Sequence, residues 1–148
     1  MIEVDQSGKI GDTRVPTVLA LANCDSYAVL IPAIVKRRCL RALREQGKKG
    51  TRLYIEWFTV AWFLLLRGRI EKVTMVRIDV EYPGYDRAIK EHLLNLFRRG
   101  GCYVSSDKIA FGLVGKTSPA HHKALSVYRG HEEPDRIISA REILREFK

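Results

Sequence analysis

The sequence predicts an α/β domain built from five β-strands and several α-helices. Three short apolar runs separated by turns open the chain, and two more strand-like runs lie between helical segments further along. The helical segments repeat apolar residues at intervals of three and four, whereas the strand-like runs are short and rich in β-branched residues. A chain of 148 residues is expected to form a single domain over residues 1–148, because it can bury about 70% of the surface that its unfolded form exposes.

The first three strands are predicted from the opening of the chain. The first ends near Asp5 and breaks into a glycine turn, and two more cover residues 15–22 and 26–31. The polar segment 23–25 between them is short enough for a tight hairpin. These three strands therefore precede every helix.

Two helices are predicted next. Residues 34–46 place apolar side chains at helical spacing, with basic residues on the other face and Gly47 after the last turn. The apolar stripe consists of Val35, Cys39, Ala42 and Leu43. Residues 52–66 are apolar nearly all round, which indicates a helix covered on most sides, and Gly68 ends it.

The second half of the chain alternates strands and helices. The segment 72–82 is apolar on both faces, as in a central strand, and residues 85–97 carry one apolar helical stripe. A fifth strand is predicted over 108–114. Ser118 followed by Pro119 predicts the start of a helix that runs to Arg129, and the sequence from Ser139 to Glu142 resembles a capping box that starts the terminal helix.

The strong positive charge favours a polyanionic partner. The formal net charge is +9, and eight basic residues cluster with a single acid, Glu45, among them. The cluster comprises Lys36, Arg37, Arg38, Arg41, Arg44, Lys48, Lys49 and Arg52. Such a cluster can neutralise nucleic-acid phosphates without reading the base sequence, and a solvated basic surface is the alternative.

The remaining composition favours a cytoplasmic protein without a membrane partner. The three cysteines are an odd number without CxxC spacing, so we interpret them as small buried apolar residues in a reducing compartment. The opening of the chain does not resemble a signal peptide, because an acidic strand begins at Glu3. The apolar run 60–66 is too short to cross a bilayer and predicts a buried helix.

Two strand-like runs each end in an aspartate. Asp5 precedes a glycine turn, and Asp79 lies in an otherwise apolar run, where an unpaired carboxylate would cost several kcal/mol. If the two strands are neighbours, the carboxylates repel each other unless a cation lies between them, and oxygen ligands suit Mg²⁺ or Mn²⁺. The alternatives are that Asp5 caps its turn and that Asp79 pairs with Arg77 or with backbone amides.

This order of elements, with its two aspartates, resembles the ribonuclease H-like superfamily. The opening Asp-Gln-Ser-Gly-Lys-Ile-Gly of residues 5–11 is similar to the strand-and-turn signature of type 2 ribonucleases H and of the Holliday-junction-resolvase-like branch. The resemblance implies a mixed five-stranded sheet with helices on both faces, in which the first and fourth strands are parallel neighbours. Type 2 enzymes carry a glutamate after the first aspartate, and Gln6 stands there in this chain.

The resemblance also implies two further site residues. A glutamate on the helix between the third and fourth strands is a ligand in the superfamily, and Glu56 is the matching position, although an i,i+4 ion pair with Arg52 would equally explain it. The last ligand lies on the helix after the fifth strand, where some branches use histidine. His121 shares the apolar face of that helix and is the candidate ligand or proton shuttle, while His122 points away and His92 is assigned to the core.

Together these observations predict a metal-dependent nuclease that hydrolyses phosphodiester bonds in nucleic acid. The predicted catalytic residues are Asp5, Asp79, Glu56 and His121, of which Asp5, Asp79 and Glu56 would hold Mg²⁺ or Mn²⁺. The predicted nucleic-acid contacts are Lys9, Arg37, Arg38, Arg41, Arg44 and Lys116. A catalytically silent nucleic-acid-binding subunit and a protein-interaction subunit are the alternatives. The sequence leaves open whether the substrate is RNA, DNA or a hybrid, and whether the protein is a homodimer.

Overall fold

The fold is a mixed six-stranded sheet with helices on both faces. A computed structural model describes residues 2–22, 26–79 and 82–147 of the chain. The strands are β1 (Ile2–Ser7), β2 (Thr17–Ala22), β3 (Ser26–Ile31), β4 (Val76–Asp79), β5 (Ile109–Gly112) and β6 (Arg136–Ile137). Their order across the sheet is β5-β4-β1-β2-β3-β6. The prediction of an α/β domain is thus confirmed.

The strand that carries Asp5 lies in the middle of the sheet. β1 pairs antiparallel with β2 on one side and parallel with β4 on the other, and β4 pairs parallel with β5. The adjacency of the first and fourth strands that the resemblance implied is therefore present. The polar connection at 23–25, predicted as a hairpin, lies outside the described residues.

The expected count of five strands is wrong by one, because β6 extends the sheet beyond β3. Backbone groups of β6 pair in parallel with Val29 and Leu30. The carboxylate of Asp135 also accepts a hydrogen bond from the amide of Ala28 at 2.8 Å. A two-residue strand is too short for the apolar alternation by which strands are recognised, so the sequence pattern could not reveal it.

The helices divide unequally between the two faces of the sheet. They are α1 (Ala33–Glu45), α2 (Gly50–Leu66), α3 (Asp86–Arg99), α4 (Pro119–Tyr128) and α5 (Ala140–Leu144). α1, α2, α3 and α5 share one large apolar core with Val4, Leu21 and Ile78 of the sheet. Of the described helices, only α4 covers the other face, where Ala124 and Val127 pack against alanine and valine side chains of β2 and β3. The side chains of Val4 and Asp5 alternate, so Asp5 belongs to the α4 face.

Helix boundaries agree closely with the sequence signals, whereas several strand boundaries differ: β1 ends at Ser7 rather than near Asp5, and β2 begins at Thr17 rather than at residue 15. Ser118 caps α4 through its side chain, and Ser139 and Glu142 form the expected reciprocal capping box. The strand predicted from residue 72 begins only at Val76, because Ile70–Lys72 forms a 3₁₀ turn that buries Ile70. An apolar run by itself does not distinguish a strand from a buried turn.

The apolar helix α2 is buried along most of its length, as predicted. In the described part of the chain, no helix combines the length and apolarity that a membrane crossing demands. Cys39 is buried and Cys102 is half-buried, and both are free thiols, while Cys24 lies outside the described residues. Burial raises the pKa of the Cys39 thiol to about 11, which agrees with its predicted role as a small apolar residue.

Candidate active site

Two carboxylates lie on neighbouring strands on the face covered by α4: Asp79 is the last residue of β4, and Asp5 lies two residues before the end of β1. The parallel register pairs Val4 with Ile78, and one further step along both strands sets Asp5 beside Asp79. Asp5 is only 4% exposed. Burial raises the pKa of the Asp5 carboxyl and the negative charge of Asp79 raises it further, against the lowering by hydrogen bonds from Gln6 and His121. The two acids are therefore close enough to interact electrostatically.

His121 completes this group from above the sheet. Its Nδ1 lies 3.0 Å from Oδ2 of Asp5, and its side chain is 27% exposed. His121 lies in the first turn of α4, which is capped because the Ser118 side chain accepts a hydrogen bond from the amide of Ala120. When Asp5 is ionised, Nδ1 must carry the proton that it donates, so Nε2 of the neutral ring is left as a proton acceptor. His122, one residue further, is exposed as expected.

Asp79 is held by the backbone beyond β5. Its Oδ1 accepts the amide proton of Val114 at 2.9 Å, so a backbone group is its partner. Arg77, the alternative partner for Asp79, instead donates to Glu3 at 3.4 Å. Glu81, the next acid along this segment, lies outside the described residues. The loop after β5 therefore fixes the position of the Asp79 carboxylate.

Glu56 is not brought to this group. It lies on α2, which packs on the opposite face of the sheet from α4. Its carboxylate accepts hydrogen bonds from Lys48 and from Arg52, each at 3.1 Å, and both bonds help to lower the pKa of Glu56 against the effect of burial. The i,i+4 pair with Arg52 that the sequence also allowed is the observed interaction.

The carboxylate oxygens of Asp5 and Asp79 suit a hard divalent cation whose other ligands are mainly water. Among the described side chains, no three from His, Cys, Asp or Glu converge as a metal-binding cluster. Asp5 and Asp79 nevertheless retain oxygen lone pairs, since both oxygens of Asp5 and Oδ1 of Asp79 each accept a single hydrogen bond from described groups. Mg²⁺ is commonly held by one or two carboxylates and several waters, so this pair fits such an ion, while Glu56 does not contribute.

Basic side chains are exposed on α1 and on two loops. Arg37, Arg38, Arg41 and Arg44 are all exposed on α1, and Lys9 and Lys116 are exposed on loops. Arg37 also donates to the carbonyl of Thr13 at 2.8 Å, which ties the basic face of α1 to the β1–β2 loop. The loop and Tyr82 line a cleft of about 740 Å³. The loop residues that line it are Lys9, Gly11, Asp12, Thr13 and Arg14.

Lys36 does not belong to this exposed set, although the sequence placed it in the basic cluster. Its side chain is fully buried, and its Nζ donates to the carbonyls of Lys9, Asp12 and Val15 and to the hydroxyl of Thr17 at 2.7–3.0 Å. The signal was present, because Lys36 precedes Cys39 by three residues and therefore lies on the buried stripe. The backbone amide of Val114 had no such signal, because any residue type except proline can supply an amide.

The comparisons with known proteins give no match: no family model, curated protein sequence or solved structure is significantly similar to this chain.

Proposed function

We propose that this protein is a divalent-metal-dependent nuclease that hydrolyses phosphodiester bonds in nucleic acid. The observation that carries the proposal is the placement of Asp5 and Asp79 on adjacent parallel strands, with His121 hydrogen-bonded to Asp5. Two buried or half-buried acids side by side are unfavourable without a cation, so the site has a physical reason to bind one.

The strand arrangement supports a ribonuclease H-like fold. β1 lies beside a parallel β4 in a mixed sheet, as the resemblance implies, with β2 antiparallel on its other side and β5 parallel beyond β4. The short β6 is then an addition at the far edge, next to β3. The fold alone does not imply activity, so the functional argument depends on the side chains of the site.

The chemistry divides between three side chains and the loop after β5. Asp5 and Asp79 would hold the divalent ion, which supplies Lewis acidity and lowers the pKa of a bound water. His121 is oriented by Asp5, so its Nε2 can accept the proton of the attacking water. Lys116 follows Val114 by two residues on an exposed loop, where its ammonium group can bind a substrate phosphate.

The basic face of α1 supports a polyanionic substrate. Its four exposed arginines add to the charge of Lys9, and the net charge of the whole chain is +9. Contacts of this kind release counterions and give affinity without sequence preference.

A catalytically silent nucleic-acid-binding protein is the second candidate. It is favoured by the position of Glu56, which leaves two carboxylates where the superfamily pattern has more acids. This protein would bind nucleic acid through α1 without cleaving it. The two candidates therefore differ in cleavage and agree in binding.

Replacing Asp79 with Asn tests the nuclease. With Mg²⁺ or Mn²⁺ present, we expect the wild type to cleave a labelled oligonucleotide and Asp79→Asn to lose at least about 100-fold in rate, because a metal ligand is removed. Binding should be equal or tighter, since one negative charge is lost. Asp107→Asn is the matched control, because Asp107 is exposed just before β5, whose other end pairs with Asp79.

Cleavage of RNA, DNA and hybrid duplexes should be compared in the same assay, with the metal removed by chelation as a second control. If Asp79→Asn cleaves as fast as the wild type, the site assignment fails. If the wild type binds all substrates and cleaves none with either metal, the silent candidate replaces the nuclease.

A further inference from the structure

A second concave site lies between α2 and α3, on the face of the sheet opposite α4. It has a volume of about 440 Å³, which lies in the range of small-molecule sites. Its lining residues are Arg52, Ile55, Glu56, Tyr85, Ala88 and His92. The nuclease mechanism uses none of them.

The walls of this pocket are apolar and partly aromatic. Ile55 is buried, and Tyr85 keeps 43% of its surface exposed at the start of α3. His92 is half-buried, and burial lowers the pKa of its imidazole, so the ring is neutral at pH 7. Its Nε2 is buried without a hydrogen-bond partner among the described residues. Two planar rings and an aliphatic side chain suit a flat ligand that binds by stacking.

The carboxylate of Glu56 is a hydrogen-bond acceptor in the lining of the pocket. Each oxygen of Glu56 accepts one bond, from Arg52 or from Lys48, so lone pairs remain on both. The Glu56 side chain is 19% exposed, and that of Arg52 is 89% exposed. The pocket can therefore accept hydrogen bonds from a ligand edge that carries two adjacent donors.

A smaller basic depression adjoins the pocket and shares two of its residues. It has a volume of about 290 Å³ and is lined by Gly47, Lys48, Lys49, Arg52, Leu53 and Glu56. Three cationic side chains and one acid give it a net positive charge. Since Arg52 and Glu56 line both cavities, a ligand in the pocket can carry an anionic group into the depression.

We propose that the pocket and the basic depression together bind one nucleotide, with a guanine base in the pocket and its phosphate in the depression. Guanine presents two neighbouring N–H donors on its Watson–Crick edge, which match the two oxygens of Glu56. Adenine presents one donor beside an acceptor, and uracil presents one donor between two carbonyl groups that a carboxylate repels. The base stacks on Tyr85 and the neutral ring of His92.

The nucleotide belongs to an unpaired stretch of the strand that the protein cleaves, an assignment that rests on the proposed function. A base whose Watson–Crick edge meets Glu56 cannot be paired at the same time. Tyr85 follows Asp79 by six positions in the sequence, so one connection joins the pocket to the candidate active site. A free guanine nucleotide presents the same chemistry, and the experiment separates the two sources.

The first measurement uses mononucleotides without metal, so that it does not depend on cleavage. Calorimetric titration should show tighter binding of guanosine monophosphate than of adenosine, cytidine or uridine monophosphate, by about 5-fold or more. Glu56→Gln should remove this preference while adenosine monophosphate binds no more weakly, because a negative charge beside the phosphate is lost. Glu91→Gln is the control, since Glu91 also forms an i,i+4 pair with an arginine, Arg87, and does not line the pocket.

Two further variants separate the base from the phosphate. Tyr85→Ala should weaken the binding of guanosine and of guanosine monophosphate to the same extent, by roughly 5- to 100-fold. Lys49→Gln should weaken the binding of guanosine monophosphate and leave the binding of guanosine unchanged. If no mononucleotide binds more tightly than inorganic phosphate, the proposal is overturned, whether or not the protein is a nuclease.

The second measurement identifies the source of the nucleotide. Single-stranded oligonucleotides with one guanine in a uridine background should bind more tightly than the all-uridine strand, and annealing a complement should remove the gain. Added free guanosine monophosphate should compete for the pocket and reduce the affinity for the guanine-containing strand to that for the all-uridine strand. Selective binding of the mononucleotide without any gain from guanine in the strand would overturn the strand assignment.

Discussion

At the scale of single residues, Asp5 shows a conflict between stability and function. Its carboxylate is nearly buried beside a second acid, which disfavours its ionised form. The amide of Gln6 and the ring of His121 compensate only in part, because the pKa of the carboxyl remains above its ordinary value of 3.8. An acid retained under such conditions is typical of a functional site.

Replacing Asp5 with Asn should therefore stabilise the metal-free protein at neutral pH. The carboxyl of the unfolded chain ionises near pH 3.8, but the folded protein holds the proton to higher pH, so stability falls as pH rises through this window. Above the folded pKa the full cost of the buried charge is present, and the neutral amide of Asp5→Asn removes it. We expect Tm at pH 7 to rise by roughly 2–4 °C, which corresponds to about 1 kcal/mol.

Calorimetry of both proteins at pH 7 and at about pH 3.5, below the ordinary pKa of an aspartate, checks this expectation, because the difference should disappear at the lower pH. Added Mg²⁺ should raise the Tm of the wild type and leave that of Asp5→Asn unchanged. A variant that is less stable than the wild type at pH 7 would show that the hydrogen bonds to Asp5 outweigh its burial.

At the scale of elements, Lys36 joins α1 to the β1–β2 loop. The ammonium group is enclosed by three carbonyls and one hydroxyl, all from residues 9–17. Gly8 tightens the same loop, because its φ is +81° and a Cβ there would lie 2.2 Å from the carbonyl oxygen of Pro16. The loop is therefore held by the Lys36 ammonium group and by the close approach of Gly8 to Pro16.

Lys36→Met should lower the free energy of unfolding by about 3 kcal/mol or more, because it leaves buried carbonyls without donors. Urea unfolding measures the change. Arg38→Met on the same helix is the control, since Arg38 is exposed, and it should change stability by less than about 0.5 kcal/mol. An equally small effect of Lys36→Met would mean that water replaces the ammonium group.

Elements with strong local signals were predictable from sequence, and contacts between distant segments were not. The capping residues of α4 and α5 and the stripe of α1 gave correct helices, because capping and periodicity are local properties. The pairing of Asp79 with the Val114 amide depends on the tertiary fold. The position of Glu56 away from Asp5 also depends on the tertiary fold, since helix periodicity does not tell which face of the sheet a helix covers.

At the scale of the whole molecule, positive charge and the candidate active site occupy different elements. The arginines of α1 lie on the helix layer that covers one face, whereas Asp5 and His121 belong to the other. The β1–β2 loop connects them, because Arg37 binds its Thr13 carbonyl and β1 carries Asp5. We therefore expect a long polyanion to follow this loop and contact both regions.

Replacing Arg37, Arg41 and Arg44 together with Gln should weaken nucleic-acid binding similarly for all sequences. The plot of log affinity against log salt should flatten by about 0.7–0.9 for each phosphate that the variant no longer neutralises. The fold should persist, because these side chains are exposed, and circular dichroism checks this. Lys72, Arg87 and Arg98, exposed on other elements, give a control triple variant with the same change in charge.

If both triple variants reduce affinity and salt dependence equally, the +9 charge acts as a diffuse field and α1 has no special role. If the wild type shows no salt-dependent affinity for any oligonucleotide, the charge is a solvated surface.

The sixth strand has a consequence for self-association. β6 covers only part of β3, and it is held by the Asp135 carboxylate and by the packing of α5 on α1. Without this cover, the backbone groups of β3 would form an open edge of the kind that pairs with other chains. We therefore expect β6 to hinder edge-to-edge pairing at the part of β3 that it covers, and a variant that loosens β6 to form oligomers joined through β3.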